Sequence, residues 1–201
     1  VASTARYYVE RGPGMLAPAR REGAIPLATR TEEHRHPVGV VGIISPWNYP
    51  LALSISDAIP ALIAGNGVVF KPAEETSVIA LKALELLEEA GLPEELCQVV
   101  TGRGSELGEP LIDRVDYLTF TGSTETGRTV AEQAGRNLID CSLELGGKNP
   151  MLILDDADID MAVQGAIDGS FTNAGQLCLA AERIYVHEMV ADVFTERFVA
   201  A

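Results

Sequence analysis

The sequence predicts an α/β fold with a doubly wound, mostly parallel sheet, and three observations indicate it. Short apolar runs of strand length alternate with longer amphipathic runs of helix length from residue 38 onward. Glycine-containing turns, such as residues 102–104, follow strand candidates and precede helix candidates. The 201 residues, 47% of them hydrophobic, suffice for one sizeable core. Such alternation is typical of a parallel sheet covered by helices.

Before this alternation begins, the chain has a different character. Residues 1–9 indicate the middle or end of a helix, and residues 11–21, with a Gly-Pro-Gly triplet, predict a loop. Partial alternation of polar and apolar residues in 25–31 and 33–36 predicts an exposed hairpin or arm.

From residue 38 the elements can be assigned in order. The predicted strands are 39–44, Gly67–Lys71, 98–101, Tyr117–Thr121, 138–143, 151–154 and 183–187. The predicted helices are 54–64, 77–90, 105–112, 123–134, 159–173 and 189–200. Pro60 lies inside the first of these helices and predicts a kink or a break there.

Composition excludes several classes of function. The net charge of −14 argues against nucleic-acid binding, which needs lysine and arginine for phosphate contacts. No apolar run approaches the length of a membrane span. Three cysteines are too few and too uneven for a disulfide framework, which predicts a reducing, cytoplasmic location. Cys97 and Cys141 are expected to be small buried hydrophobic residues. The chain lacks an initial methionine and ends inside an amphipathic pattern, so we expect a piece of a longer protein.

Two strand-to-helix turns are candidates for binding a phosphate. Residues 102–108 carry glycines, but Leu107 stands where the dinucleotide fingerprint has its third glycine. Residues 120–127 place Ser123 to cap a helix whose free N–H groups attract anions. An ordinary tight connection or a capped helix would explain either segment as well. Lys71 and Glu74 follow another strand and are positioned to meet a ribose, or are solvated surface residues.

Cys178 and Glu144 supply a chemistry that neither residue supplies alone. A thiol can attack a carbonyl carbon, and a carboxylate can take a proton from water to release the product. A thiol hydrolase is a rival hypothesis, which would pair Cys178 with one of the three histidines, His34, His36 or His187. The acidic residues 155–160 do not fit a calcium loop and indicate a helix N-terminus instead, so we predict no metal.

Five segments together resemble the NAD(P)-dependent aldehyde dehydrogenase superfamily. They appear in the family's order and at similar spacings. The residues around them are most similar to those of succinate-semialdehyde dehydrogenase-like and broad-specificity members. The segments are Pro-Trp-Asn-Tyr-Pro at 46–50, Lys-Pro-Ala-Glu at 71–74, Phe-Thr-Gly-Ser at 120–123, Glu-Leu-Gly-Gly-Lys at 144–148 and Gly-Gln-Leu-Cys at 175–178.

The resemblance implies a role for each matching residue. Cys178 would be the nucleophile, Glu144 the general base, and Asn48 a donor to the oxyanion. The resemblance also implies a set of residues around the cofactor. These are Lys71 and Glu74 at the adenosine ribose, Gly122 and Ser123 at the pyrophosphate, Ile44, Ser45 and Trp47 at the adenosine, Gly104 beneath the cofactor, and Leu145 and Gly146 beside the nicotinamide.

The resemblance further implies a domain plan and partners. The plan has an N-terminal helical end and loop (1–22), oligomerisation-arm strands (23–37), a dinucleotide-binding domain (38–146) and the start of a catalytic domain (147–201). The expected partners are a small aldehyde and further copies of the chain in a homodimer or homotetramer, with no nucleic acid and no membrane.

The sequence also predicts which cofactor is preferred, and it leaves two alternative functions open. The carboxylate of Glu74 can accept from a ribose 2′-OH but repels a 2′-phosphate, which predicts NAD over NADP. A CoA-acylating aldehyde dehydrogenase is an alternative, although it would not need Glu144 as a base. An inactive NAD-binding fragment is another, because the family's later segments are absent and one wall of the substrate tunnel would be missing.

Overall fold

The chain folds into two structural units, which comprise Val1–Glu144 and Leu145–Ala201. The computed structural model describes residues 1–25 and 28–201. The strands of the first unit are β1 (Ala19–Arg21), β2 (Thr31–Glu33), β3 (Val40–Ile44), β4 (Gly67–Lys71), β5 (Cys97–Val99), β6 (Tyr117–Thr121) and β7 (Asp140–Glu144). Its helices are α1 (Ala2–Leu16), α2 (Pro50–Ile63), α3 (Ser77–Glu89), α4 (Gly104–Ile112) and α5 (Thr124–Arg136).

A five-stranded parallel sheet with the order β5-β4-β3-β6-β7 forms the centre of the first unit. The chain adds strands outward from β3 to β5 and then returns to the other side of β3. Because such crossovers are right-handed, the reversal of direction moves the helices from one face to the other. In agreement, α2 packs with α3, and α4 packs with α5. The predicted α/β fold with a doubly wound parallel sheet is confirmed.

The core of this unit lies between the sheet and α2 and α3. Strands buried on both faces are near-continuous runs of apolar residues, as in the Val-Val-Gly-Ile-Ile of β3. The side chains of Ile43, Val68, Phe70 and Cys97 are almost completely buried there. The prediction that Cys97 acts as a small hydrophobic residue is therefore confirmed, whereas Cys141 is only half-buried.

The second unit has its own sheet and its own core. It contains β8 (Asn149–Ile153), α6 (Ile159–Phe171), β9 (Ala181–Val186) and α7 (Glu188–Ala200), with β8 and β9 parallel. Its core consists of buried residues from β8, α6 and α7, which are Ile153, Val163, Ala166 and Phe194.

Two predictions about helices need correction. The loop predicted at 11–21 is in part helix, since α1 continues to Leu16 through Gly12 and Pro13. A Cβ atom at Gly12 would lie 2.9 Å from Cγ2 of Ile63, so the glycine allows α1 and α2 to approach closely. The chain does not break at Pro60, since α2 runs from Pro50 to Ile63, and a kink there stays a prediction. Packing between the two helices outweighs the local preference of proline and glycine in both places.

The predicted arm is a short antiparallel hairpin formed by β1 and β2. Its first strand lies before the predicted range of 23–37, and residues 26 and 27 of that range lie outside the described residues. An exposed ion pair joins Arg21 to Glu33 across the hairpin, and Arg35 contacts the same carboxylate. The hydrogen bond from Arg21, together with the positive charges of Arg21 and Arg35, lowers the pKa of the Glu33 carboxyl group.

Among the described residues, no helix combines the length and the apolar character that a membrane crossing requires.

Candidate functional site

The carboxyl ends of four parallel strands bring several predicted site residues to one edge of the sheet. Ile44 at the end of β3 pairs in register with Lys71 at the end of β4, and Thr121 pairs with Glu144 at the ends of β6 and β7. The backbone N–H of Ser45 donates to the carbonyl oxygen of Lys71 over 3.2 Å. This edge is where open α/β sheets bind their ligands.

A cleft of about 460 Å³ lies at this edge, and we call it the strand-end cleft. Ile44, Lys71 and Gly104 line it, so three of the predicted cofactor-binding residues come together. The first turns of α4 and α5 also line it, through Ser105, Glu125 and Thr126. Unpaired N–H groups at helix N-termini favour anions, so the cleft suits a ligand that carries phosphate.

Lys71 provides the positive charge of the strand-end cleft. It is only 5% exposed, and its Nζ donates to the carbonyl oxygen of Pro72 over 3.1 Å. A Cβ atom at Gly104 would lie 3.8 Å from this Nζ, which shows that the ammonium group faces the start of α4. Among the described residues that line the cleft, Lys71 is the cation, and Glu109 and Glu125 contribute carboxyl groups.

Seven of the ten residues predicted near the cofactor are not in the described lining, and three of these lie in the segments that follow β3 and β4. Glu74 is exposed in a 3-10 turn, Glu74–Thr76, that follows β4. The Trp47 side chain is 49% exposed. Ser45 is buried, and its hydroxyl lies 2.6 Å from the hydroxyl of Ser54, so its side chain fixes the strand to α2.

The segment after β6 links the cofactor residues to the predicted base. The N–H of Gly122 donates to the carbonyl oxygen of Glu144 over 3.0 Å. A Cβ atom at Gly122 would lie 2.5 Å from Cζ of Phe120, so the turn has no room for a larger residue. Ser123 caps α5 as predicted, since its hydroxyl accepts from the N–H of Thr126 over 3.1 Å.

The displaced glycine fingerprint has a structural reason. Gly102 has a φ of +151°, a conformation that residues with a side chain rarely adopt. A Cβ atom there would lie 2.9 Å from Cδ1 of Leu107, the residue that stands in place of the third glycine. The leucine therefore packs back on the turn and closes it.

Glu144 ends β7, is exposed, and lines a second cavity of about 390 Å³, which we call the base cavity. Asp57 from α2 and Thr119 from β6 line the same cavity. Burial raises the pKa of Asp57, and the negative charge of Glu144 raises it further, while the Thr119 hydroxyl offsets part of the effect. Among the described residues that line this cavity there is no lysine or arginine.

Asn48 lies between β3 and α2. Its side-chain oxygen accepts from the N–H of Tyr49 over 3.1 Å. Because one end of the amide is fixed in this way, the orientation of its NH₂ group is fixed too, as an oxyanion donor requires.

Cys178 belongs to the second unit and is exposed in the turn that precedes β9. The N–H of Ala180 donates to the carbonyl oxygen of Leu177 over 3.1 Å and closes this turn. The residues before it are strained: Asn173 has φ of 53° and Ala174 has φ of 57°, both left-handed. Residues other than glycine and asparagine rarely adopt this backbone conformation, and such strain concentrates at functional sites.

His187 and Asp158 cap helices, whereas the other two histidines of the rival hypothesis are exposed. Nδ1 of His187 accepts from the N–H of Met189 over 3.3 Å and caps α7. His34 and His36 are exposed next to the hairpin. Asp158 caps α6 by accepting from the N–H of Met161 over 3.1 Å, which confirms that the acidic run is a helix N-terminus.

The predicted site residues are therefore distributed over both units. Glu144, Asn48 and the cofactor residues from 44 to 123 lie in the first unit, whereas Cys178, Leu145 and Gly146 lie in the second. Sequence reasoning missed Asp57 in the base cavity and Asn149, whose side chain contacts the Cys178 turn. It also missed Ser105 and Thr126, which their positions in the first turns of two helices could have revealed.

The chain is similar to known proteins along most or all of its length. The model of the aldehyde dehydrogenase family matches residues 1–201. A Mycolicibacterium smegmatis protein, named a putative NADP(+) succinate-semialdehyde dehydrogenase, is 56% identical over 194 residues, which are 96% of this chain and 38% of that protein. The chain thus spans well under half the length of this relative.

Solved structures show the same fold. The aldehyde dehydrogenase from Brucella melitensis biovar abortus 2308 superposes with a TM-score of 0.94 at 40% identity, over 99% of this chain and 41% of that one. The betaine aldehyde dehydrogenase from Staphylococcus aureus, solved with NAD+, gives a TM-score of 0.86 at 39% identity, over 91% of this chain and 36% of that one. With a family match along its whole length and these likenesses in sequence and fold, the chain belongs to the aldehyde dehydrogenase family.

Proposed function

We propose that this chain carries the dinucleotide site, the nucleophile and the general base of an enzyme that oxidises an aldehyde to a carboxylic acid with NAD(P). The observation that carries the proposal is the strand-end cleft, in which Lys71 and two helix N-termini suit a pyrophosphate. The hydrogen bond from Gly122 to Glu144 ties this cleft to the residue proposed as the base.

The first step belongs to Cys178. Its thiolate adds to the aldehyde carbon, so that a C–S bond forms and the carbonyl oxygen takes the negative charge. The side-chain amide of Asn48 and the backbone N–H of Cys178 donate to this oxygen. Loss of one such donor costs roughly 100- to 1000-fold in rate.

The second step belongs to Glu144. NAD(P) held at the strand-end cleft would accept the hydride that leaves the former aldehyde carbon, and Cys178 would then carry a thioester. The Glu144 carboxylate takes a proton from a water molecule, the water oxygen attacks the thioester carbon, and the C–S bond breaks. The proton that Glu144 took passes to the leaving thiolate, and the products are the carboxylic acid and the free thiol. This use of Glu144 favours hydrolysis over transfer of the acyl group to CoA.

Succinate semialdehyde is the proposed substrate, because the M. smegmatis relative carries it in its name and shares 56% of the aligned residues. For the cofactor, the exposed carboxylate of Glu74 favours NAD, while the name of that relative includes NADP(+). We propose that Glu74 sets the preference. Glu74→Gln should then improve kcat/KM for NADP relative to NAD, whereas Glu75→Gln in the same turn should not.

Assembly and location follow from the family resemblance and from the cysteines. The hairpin of β1 and β2 is exposed and is the proposed arm for a homodimer or homotetramer. The free thiols of Cys97, Cys141 and Cys178 suit a reducing compartment, and we propose the cytoplasm. Sedimentation of the complete gene product with and without residues 19–33 tests the role of the arm.

The test of the activity uses the complete gene product and succinate semialdehyde. Cys178→Ala should abolish formation of reduced dinucleotide, and Cys141→Ala should leave it unchanged. Glu144→Gln should still give a burst of about one reduced dinucleotide per site but slow the later turnovers, because the base acts after hydride transfer. A Glu144→Gln variant with unchanged steady turnover would remove Glu144 from this role. The 201-residue chain alone is expected to bind dinucleotide without turnover.

A further inference from the structure

The side chain of Asn149 forms hydrogen bonds with the turn that carries Cys178. Its Nδ2 donates to the carbonyl oxygen of Cys178 over 2.6 Å and to the carbonyl oxygen of Ala180 over 3.2 Å. A side-chain amide has two N–H donors, so both contacts can exist at once. One side chain therefore forms hydrogen bonds with the carbonyl groups of both Cys178 and Ala180.

The position of Asn149 in β8 explains why its side chain takes this role. The next residue, Pro150, has no N–H to offer to the neighbouring strand. The register of β8 against β9 shifts at this point, since Asn149 pairs with Ala181 and Pro150 pairs with Arg183. The donors missing from the backbone ladder are thus supplied by the Asn149 amide.

Further contacts hold the surroundings of this amide. A Cβ atom at Gly147 would lie 3.2 Å from Oδ1 of Asn149, so the glycine gives the amide its space. Lys148 forms an ion pair with Glu182, just beyond the turn. The hydroxyl of Ser170 donates to the carbonyl oxygen of Ala181 over 3.1 Å. The turn is fixed from β8 and from α6 together.

On the other side of Cys178 the backbone is strained. The left-handed residues Asn173 and Ala174 precede the turn, and such conformations persist only when the surrounding structure enforces them. A loop strained at one end relaxes unless the other end is held. Asn149 is the described side chain that holds the far end through the Cys178 carbonyl oxygen.

We propose that Asn149 is a positioning residue for Cys178: its amide locks the peptide after the nucleophile and so fixes the thiol and the adjacent N–H. This assignment rests on the proposed role of Cys178 as the nucleophile. The effect on the reaction follows from geometry, because a displacement of about 1 Å at a reacting group costs roughly 100-fold in rate.

The first test observes the turn directly and needs neither aldehyde nor cofactor. In the complete gene product, ¹³Cβ-labelled Cys178 should give one sharp NMR signal, which Asn149→Ala should broaden or split. Asn149→Ser keeps one donor and should restore a single signal in part. The control is Asn66→Ala: the Asn66 amide also bridges backbone groups, accepting from the N–H of Val38 over 2.7 Å and donating to the carbonyl oxygen of Ala61 over 2.9 Å. This control should lower the thermal midpoint and leave the Cys178 signal unchanged.

The second test measures the first turnover. Asn149→Ala should slow the burst of reduced dinucleotide roughly 10- to 100-fold with little change in KM for the dinucleotide, and Asn149→Ser should recover part of the rate. An unchanged Cys178 signal in folded Asn149→Ala would overturn the proposal, and so would an unchanged signal in Asn149→Leu, which fills a similar volume without a donor, should the alanine variant not fold. If no variant and not even the parent protein reduces dinucleotide, the proposed function fails, while the NMR signal still decides the role of Asn149.

Discussion

The N–H of Gly122 donates to the carbonyl oxygen of Glu144 over 3.0 Å, between the loop that follows β6 and the last residue of β7. This bond extends the parallel ladder by one step beyond the end of β6. It places the turn before α5 and the predicted base side by side, so that a shift of one is transmitted to the other.

Gly122→Ala should therefore lower both stability and dinucleotide affinity. The new Cβ atom would lie 2.5 Å from Cζ of Phe120, so the ring would have to shift into one of the two cavities that it lines. Overpacking of this kind costs about 1–3 kcal/mol. Gly135→Ala in α5 is the matched control, since a Cβ atom there meets nothing within 4 Å. Thermal unfolding and calorimetry with NAD should separate the two variants, and equal effects would contradict the steric argument.

Lys71→Met should weaken dinucleotide binding by roughly 10-fold or more, because the strand-end cleft loses the positive charge that its described lining provides. Methionine keeps much of the apolar stem of lysine, so the fold should survive. Lys82→Met removes a lysine that is exposed on α3 and paired with Glu85, and it should have no effect on binding. Titration calorimetry with NAD checks both variants. Equal affinities for the two would show that Lys71 does not face the ligand.

Asp57→Asn should stabilise the protein near neutral pH more than at pH 4. The folded-state pKa of Asp57 is raised, chiefly by burial and further by Glu144, so ionisation is more difficult in the folded state than in the unfolded chain. The stability that the protonated form contributes is present below the unfolded pKa and is lost as the pH rises through the folded pKa. Asparagine does not ionise, so the gain over Asp57 should grow across this window. Urea unfolding at several pH values measures it.

Asp113 allows the sign of this pH dependence to be checked, because its pKa shifts in the opposite direction to that of Asp57. Hydrogen bonds from Asn137 and Gln133 lower the pKa of Asp113. Asp113→Asn should consequently destabilise the protein above the unfolded pKa and show a smaller effect as the pH falls. If Asp57→Asn and Asp113→Asn changed stability in the same direction at pH 7, the burial argument for Asp57 would be wrong.

Ala174→Gly should cost little stability or increase it slightly. The left-handed conformation at Ala174 carries a penalty of about 1 kcal/mol for a residue with a Cβ atom, which glycine relieves. The greater flexibility of unfolded glycine offsets this by a similar amount. Ala162→Gly, inside α6, has the same chemical change without the strain and should destabilise by about 1 kcal/mol. Chemical denaturation of both variants makes the comparison, and equal losses would mean that Ala174 is not strained.

The sequence was sufficient to predict those elements whose structure depends on residues close by in the chain. Strands β4 and β6 were predicted to the residue, because each is a short run of β-branched and aromatic residues between turn signals. Ser123 as a cap was predictable because capping depends on neighbouring residues only. The helix through Gly12 was not, since the contact with Ile63 comes from 51 positions further along the chain (63 − 12).

The residues of the candidate site also divide into those that nearby sequence predicts and those that it does not. Lys71 and Gly104 were predicted, because strand ends and helix starts are visible in the sequence. Glu74 was expected at the ribose from the resemblance, yet it lies outside the described lining of the strand-end cleft. The Asn149 contact with Cys178 joins residues 29 positions apart, and no local pattern encodes it.

The central position of β3 in the sheet has a consequence for the order in which the protein assembles. β3 and β4 are separated by one helix, so they can pair soon after synthesis, with a short loop to close. The partner on the other side arrives much later: the Asp116 carboxylate that accepts from the N–H of Val40 is 76 residues away. Until then one edge of β3 has no partner and can attract other chains. The strand-end cleft, which Phe120 of β6 lines, is therefore complete only after this late strand docks, and the proposed dinucleotide site forms with it.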